Sequence, residues 1–171
     1  GSSPPNGRFY IDDIYLEDAD GRNLGNPTGD SSATASVVAA SLPSSRSVQV
    51  GSLASAFATM INTSSNAAND CSIAPQTSVA ADFTYQTTDA SNVPVGTPDT
   101  PVDIAAGESQ NFVFGFLPTS PISPTEVLIS YDCTNSAPAP ITVGLNTLLL
   151  SASATPIPDI VALVATPTGD G

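Results

Sequence analysis

The segment Asn111-Phe-Val-Phe-Gly-Phe-Leu-Pro118 places an aromatic residue at every second position and ends at a proline. Side chains on a β-strand point alternately to its two faces, so Phe112, Phe114 and Phe116 share one face of an extended strand. The segment Val127–Cys133 repeats the pattern with Val, Ile, Tyr and Cys at alternate positions. Both segments are therefore predicted to be strands that bury one apolar face.

The same alternation extends outward from these two segments, from Ser47 to Ser151. Clusters of Pro, Gly, Asn and Ser interrupt it, which predicts about eight short strands joined by turns. The last strand is predicted to begin in the run Ile141–Leu145 and to continue through Leu148–Leu150. No helical periodicity competes with this pattern, so the predicted fold is all-β, an antiparallel β-sandwich.

The composition excludes several classes of protein. Apolar residues make up 40% of the chain, too many for a disordered protein, and 16 Pro with 12 Gly are too many for a helical one. The formal net charge is −13, with Arg8, Arg22 and Arg46 as the cationic side chains. This charge argues against nucleic acid and anionic membrane surfaces as partners, and no run is long and apolar enough for membrane insertion.

The chain has no histidine and no lysine, so the commonest general bases and the Schiff-base amine are missing. Carboxylates remain, which leaves a carboxylate-only glycosidase or a metal-dependent hydrolase open. Asp12 and Asp13 are adjacent on a predicted strand and point to opposite faces, which makes them a poor acid–base pair. We predict no catalytic residue and no enzyme activity.

Cys71 and Cys133 are the two cysteines of a chain that is rich in Ser and Thr. An even number of cysteines in such a chain predicts a disulfide formed in an oxidising compartment. The alternative is a pair of buried free thiols. We accordingly expect a secreted protein, extracellular or at the cell surface.

Several motifs resemble those of immunoglobulin-like domains, in particular the modules of bacterial secreted and cell-surface proteins. Cys71 and Cys133 are 62 positions apart, and Tyr131-Asp-Cys133 resembles a tyrosine corner. The segment Ile104–Pro118, with its Gly-Glu-Ser turn, is similar to a strand of those modules. The resemblance implies an immunoglobulin-like sandwich over residues 37–151 with the disulfide joining its two sheets. The chain has no core Trp, whose place Phe83 or Tyr85 would fill.

The two flanks of this sandwich are predicted to be strand-like arms. The N-terminal arm and linker comprise residues 1–36, and the Pro-rich C-terminal arm comprises residues 152–171. The run from Asp159 resembles the run from Ser36, so the C-terminal arm is read as the possible first strand of a further unit, with chance similarity as the alternative. Four large apolar residues of the N-terminal arm would be exposed to solvent unless they pack against another molecule or domain. We therefore predict that they form an assembly arm. They are Phe9, Ile11, Ile14 and Leu16.

Two low-specificity sites are predicted in the N-terminal arm. Asp18, Asp20 and Asn23 offer several oxygen ligands within a few residues, as calcium loops do, but their spacing does not match the EF-hand pattern, and a solvated Asp-Gly turn after a strand is the alternative. No other cofactor is predicted. Residues 9–17 resemble the last strand of the carbohydrate-binding jelly-roll modules of secreted enzymes, and that resemblance makes Tyr10 and Tyr15 a candidate sugar platform. The phenylalanines Phe57, Phe83, Phe112, Phe114 and Phe116 are predicted to lie in the core.

These observations predict a non-catalytic extracellular structural or adhesion module, one unit of a surface array or fibre joined through its terminal strands. Its partners would be further copies of itself or neighbouring domains of the same protein. The alternative is a carbohydrate-binding accessory module of a secreted polysaccharide-degrading enzyme, with an extracellular polysaccharide as the partner. The position of the two arms relative to the sandwich would distinguish these functions.

Overall fold

The computed structural model describes residues 34–156, and within that range the chain forms ten β-strands and no helix. The strands are β1 (Ala35–Leu42), β2 (Ser45–Gln49), β3 (Ala54–Asn62), β4 (Ala68–Pro75), β5 (Ala81–Thr88), β6 (Val102–Ile104), β7 (Ser109–Pro118), β8 (Ile122–Asp132), β9 (Ser136–Ala137) and β10 (Thr147–Ser153). One sheet has the order β5-β7-β3-β1-β9 and the other β2-β10-β8-β4-β6. The two sheets pack together, which confirms the predicted all-β sandwich.

Most neighbouring strands are antiparallel, with two exceptions near the ends of the described range. β1 pairs with the short β9 in parallel, and β2 pairs with β10 in parallel. The chain changes sheets between β1 and β2 at Pro43. Proline has no N–H to donate to a ladder, so it ends the pairing of β1 at this point.

At the centre of the core, large side chains on one strand lie beside small side chains on the neighbouring strand of the sheet. β7 directs Phe112, Phe114 and Phe116 inward, each at most 1% exposed. Each of these residues is paired in the β3 ladder with an alanine, in the order Ala58, Ala56 and Ala54. Adjacent rings and methyl groups fill the space between the sheets at the density that protein interiors require.

Phe57 was predicted in the core, and this prediction is wrong. It is 44% exposed, because the alternating pattern of β3 turns its alanines and Met60 inward and therefore turns Phe57 outward. A second row of rings on β3 would collide with the phenylalanines of β7. Phe83 is partly buried, with its ring centroid 5.0 Å from that of Phe116.

The run Ile141–Leu145 was predicted to open the last strand, but it forms a turn instead. The Asn146 carboxamide oxygen accepts the Thr142 N–H at 2.7 Å, and Gly144 has a φ of +79°. The Asn and Gly residues therefore impose a turn that overrides the apolar alternation, and β10 begins only at Thr147.

Cys71 and Cys133 form the predicted disulfide, but they do not join the two sheets. Ser72 of β4 is paired with Asp132 of β8, so the cysteines lie opposite each other on neighbouring strands of one sheet. The prediction of an inter-sheet bridge is therefore wrong. Tyr131 is the second-last residue of β8, whereas a tyrosine corner requires the start of its strand, so that interpretation is also wrong.

The described chain begins and ends at opposite ends of the sandwich. The Ala35 N–H donates to the Asn135 carbonyl at 2.8 Å, beyond the end of β8, and this end is called the N-terminal pole. Ala152 pairs with Ile122 at the beginning of β8, and this end is called the C-terminal pole. The division of the whole chain into residues 1–36, 37–151 and 152–171 remains a prediction.

Candidate functional site

The outer surface of the β5-β7-β3-β1-β9 sheet carries exposed apolar side chains on β1 and β3. In the ladder Val38 is paired with Ile61, and Leu42 with Phe57. These four residues are named the outer apolar face, and they are 42%, 43%, 72% and 44% exposed in that order. Ala40 and Thr59 are paired between them, so Ala40 continues the apolar surface along β1, while the Thr59 hydroxyl interrupts it on β3.

A groove of about 160 Å³ lies beside the outer apolar face. Its lining includes Leu42, Phe57, Thr59, Asn92 and Asn111. The Thr59 hydroxyl donates to the Asn111 carboxamide oxygen at 2.7 Å. The Thr59 and Asn111 side chains are thus paired with each other, while Ser41 and Asn92 also line the groove.

The loop of residues 89–101, between β5 and β6, positions Asn92. β5 is the edge strand of its sheet, and this loop pairs with it: the Val95 N–H donates to the Thr87 carbonyl and the Asp99 N–H to the Tyr85 carbonyl, each at 2.8 Å. The Asp99 carboxylate accepts the Tyr85 N–H at 2.8 Å. The loop therefore covers the free edge of β5, which would otherwise offer a template for another strand.

A second groove, of about 320 Å³, lies between this loop and the sheet. Pro94 and Pro98 form its loop side, while Leu53 and Val113 are among the residues of the other side. A Cβ added at Gly115 would stand 2.9 Å from Cδ1 of Leu53, so the glycine lets Leu53 lie flat against the sheet. Polar side chains line this groove as well, among them Thr84 and Gln86.

Charged side chains avoid the outer apolar face. Neither β1 nor β3 contains a charged residue, although the chain has a net charge of −13. Several acids elsewhere brace the backbone: the Asp89 carboxylate accepts the N–H groups of Ser91 and Val93, and Asp103 accepts the N–H of Asp70. Within residues 34–156, no group of three or more His, Cys, Asp or Glu side chains could hold a metal ion.

Tyr131 is the largest side chain buried between the sheets. Its hydroxyl has no hydrogen-bond partner of good geometry among the described residues. Burial raises the pKa of Tyr131 to about 12, against a smaller lowering by the nearby Ser41 hydroxyl. Burial also raises the pKa of Tyr85, and the negative charge of Asp99 adds to that effect. Both phenols are therefore protonated at neutral pH, so neither can act as a base there.

Most of the predicted site residues lie outside the described range. The structure bonds Cys71 to Cys133. The residues that it does not describe are the proposed calcium ligands Asp18, Asp20 and Asn23, the proposed sugar platform Tyr10 and Tyr15, and the assembly arm Phe9, Ile11, Ile14 and Leu16. These sites remain predictions.

The outer apolar face was missed by the sequence reasoning, although a signal for it exists. A strand with one solvated face alternates apolar with polar residues, whereas Ala56–Ile61 reads Ala-Phe-Ala-Thr-Met-Ile and β1 contains Val37-Val38. Nearly continuous apolar runs are typical of strands that are covered on both faces. β1 and β3 thus have the composition of strands whose outer face is also covered.

Comparisons with known proteins identify no family for this chain. No protein-family model and no curated protein matches the sequence. Among solved structures, a family 123 glycoside hydrolase from Clostridium perfringens, described as acting in glycolipid glycan hydrolysis, aligns with 8% identity and a TM-score of 0.46. The alignment covers 70% of this chain but only 28% of that chain. The structure describes no helix long and apolar enough to cross a membrane.

Proposed function

We propose that this chain is a non-catalytic extracellular structural or adhesion module, one unit of a surface array or fibre joined through its terminal segments. The observation that carries the proposal is that the first strand begins at one pole, at Ala35, and the last strand reaches the opposite pole, at Ala152. A module that is entered at one pole and left at the other extends a chain of modules lengthwise. Tension applied at its two poles is also transmitted along its strands.

Two further features support the proposal, one on location and one on solubility. The Cys71–Cys133 disulfide is of the kind that persists in oxidising compartments. The high negative charge favours solubility and discourages unspecific association. The alternative, a carbohydrate-binding accessory module, depends on Tyr10 and Tyr15, which lie outside the described residues, so it remains a prediction from the sequence.

The joining role is tested by comparing the full chain with a variant that lacks residues 1–30. Sedimentation velocity gives the mass of each in solution, and calorimetry gives its melting temperature. Oligomers or filaments that the full chain forms and the variant loses support joining through the N-terminal arm. A monomer in both cases, with the same melting temperature, contradicts it.

The non-catalytic role is tested separately. The purified chain is incubated with polysaccharide, ester and peptide substrates, with and without added calcium. We expect no turnover above a heat-denatured control. Turnover that one carboxylate substitution abolishes would show that the chain is an enzyme, and a strict need for calcium would point to Asp18 and Asp20.

A further inference from the structure

β5 combines two properties that favour pairing with another chain. It is the edge strand of its sheet, so one of its sides has no neighbouring strand among the described residues. Its segment Phe83–Thr88 contains no charge, no proline and no glycine, and it consists mostly of threonine and aromatic residues, which favour strands. Segments of this composition associate through their backbones when they lie open at a sheet edge.

A second copy of β5 would fit this edge in an antiparallel register centred on Tyr85. The N–H and the carbonyl of Tyr85 point away from β7, and in this register each Tyr85 would exchange both hydrogen bonds with its counterpart. Asp82, the only acid of β5, would then lie opposite Thr88 of the other copy. The register therefore brings no two acids of β5 together, so local charge does not prevent the contact.

Asp99 occupies the two groups of Tyr85 on which this register depends. Its N–H donates to the Tyr85 carbonyl at 2.8 Å, and its carboxylate accepts the Tyr85 N–H at 2.8 Å. Asp99 thus makes with Tyr85 the pair of bonds that a residue of a neighbouring strand would make. The Thr84 hydroxyl donates to the same carboxylate at 3.1 Å, and the Gln86 side chain donates to the Gly96 carbonyl at 2.8 Å. These bonds hold the loop of residues 89–101 on the edge.

The loop of residues 89–101 is itself a poor template for a further strand. The Asp89 carboxylate accepts the N–H groups of Ser91 and Val93, which are therefore not available to a neighbour. Three other residues of the loop are prolines, which have no N–H to donate to a ladder. They are Pro94, Pro98 and Pro101. Prolines and charges of this kind are the means by which native sheets avoid pairing at their edges.

We infer that the loop of residues 89–101 prevents two copies of this chain from pairing through β5, and that Asp99 is the residue that positions the loop on the edge. The inference goes beyond the proposed function, because it concerns a contact that the module avoids rather than one that it makes. In an array, copies are held at high local concentration, and a blocked β5 leaves their joining to other segments.

The experiment compares the wild type with two variants of the full chain, Asp99→Gly and Asp99→Asn. Asp99 has a φ of +55°, a conformation that glycine and asparagine adopt more readily than other residues. Both variants lose one negative charge, but only asparagine keeps a side-chain oxygen that can accept the Tyr85 N–H. Sedimentation equilibrium over a concentration series measures association, hydrogen exchange followed by NMR measures the protection of the Tyr85 amide, and calorimetry checks that each protein is folded.

The Tyr85 amide should be protected from exchange in the wild type and in Asp99→Asn, although β5 is an edge strand. In dilute Asp99→Gly this amide should exchange at least about tenfold faster, because it loses its hydrogen bond to the side chain. Asp99→Gly should also associate at a concentration at least about tenfold lower than Asp99→Asn does. As Asp99→Gly associates, its Tyr85 amide should regain protection, since the second copy of β5 then accepts the N–H.

Four results would overturn the inference. The first is an unprotected Tyr85 amide in the wild type, a result that needs no variant. The second is equal association of Asp99→Gly and Asp99→Asn. The third is association of Asp99→Gly that leaves the exchange of Tyr85 unchanged, since the contact would then lie elsewhere. The fourth is loss of that association when residues 1–30 are deleted, which would assign it to the N-terminal arm. The joining role is judged on the wild type alone, so the two proposals fail separately.

Discussion

At the scale of single residues, Asn62 is the most heavily bonded side chain of the core. Although fully buried at the end of β3, its Nδ2 donates to the carbonyls of Asn66, Ile104 and Ala105, and its Oδ1 accepts from Ser64. It therefore ties the β3–β4 turn to the end of β6. Its sequence context, Asn-Thr-Ser, matches the motif for N-glycosylation. In the folded chain, however, the side-chain nitrogen of Asn62 is buried and donates hydrogen bonds to backbone carbonyls.

We predict that Asn62→Ala lowers the free energy of unfolding by about 2 to 3 kcal/mol, because it leaves buried carbonyls without a donor. Urea denaturation measures this change. The control is Gln49→Ala, which removes an exposed amide with one bond of 3.3 Å to the Ala154 carbonyl. It should cost less than about 0.5 kcal/mol. Equal losses in both variants would show that Asn62 does not brace the core.

Tyr131 makes the stability of the fold sensitive to alkaline pH. Its folded pKa is about 12 against 10 for an ordinary tyrosine, so between pH 10 and pH 12 the unfolded chain holds fewer protons than the folded chain. Stability therefore falls as pH rises through this window. The wild type should lose about 1 kcal/mol more than Tyr131→Phe between pH 10 and pH 11.

Urea denaturation at pH 8, 10 and 11 measures this difference. The variant should be at least as stable as the wild type at pH 8, because it removes a buried hydroxyl that lacks a partner. Parallel pH profiles for the two proteins would contradict the raised pKa. Comparison with the variant isolates Tyr131, since Tyr85 is present in both.

At the scale of elements, the ladder between β3 and β7 faces the closed core on one side and the half-exposed side chain of Leu53 on the other. Ala56 faces the core and is paired with Phe114, whereas its neighbours Ser55 and Gly115 are paired on the outer side. Ala56→Val adds volume beside Phe114 and should cost about 1 to 3 kcal/mol. The control, Gly115→Ala, should cost less than about 1 kcal/mol, because the half-exposed Leu53 can move aside.

Thermal and urea denaturation of both variants provides the measurement. If Ala56→Val cost no stability, the inner side of the ladder would have to contain free space. That result would contradict the matching of the β3 alanines with the β7 phenylalanines.

The disulfide links β4 covalently to the end of β8, at one end of the ladder between these two strands. It closes a loop of 62 residues, and the loss of this constraint in Cys71→Ala/Cys133→Ala should cost about 4 kcal/mol in the chain-entropy account. Alkylation of the native protein without reductant, followed by intact-mass analysis, should modify no thiol. Two alkylated cysteines in freshly secreted protein would show that the bridge is absent there.

At the scale of the whole molecule, the placement of the poles predicts resistance to stretching. Force applied between Thr34 and Pro156 pulls β1 and β10 in opposite directions along the strands. Ladder hydrogen bonds run across the strands, so this force loads many of them at once. Force applied between Ser120 and Pro156, both at the C-terminal pole, instead opens the β8–β10 pair from one end.

Single-molecule force spectroscopy with handles at these positions should give the higher rupture force for Thr34 and Pro156. Both measurements use the same folded protein, so its thermodynamic stability does not enter the comparison. Equal forces in the two directions would contradict this prediction and remove the mechanical argument for a module that transmits tension in an array.

The sequence by itself determined the central strands and part of the core, although it predicted about eight strands where the described residues form ten. Alternation along Asn111–Pro118 and Val127–Cys133 was sufficient to predict β7, β8 and the inward side chains Phe112, Phe114 and Phe116, because the alternation of side chains is a local property of an extended chain. The number and spacing of strands likewise indicated a sandwich, and the paired cysteines indicated a disulfide.

Tertiary structure alone decided which strands are neighbours and which faces remain open. The disulfide lies within one sheet because β4 and β8 are adjacent, and Phe57 faces outward because the rings of β7 already occupy the space beside β3. A periodic pattern indicates which side chains share a face of a strand. Which strand lies beside it, and which element covers each face, depends on residues far away in the sequence. For the same reason the outer apolar face became visible only when β1 and β3 were placed side by side.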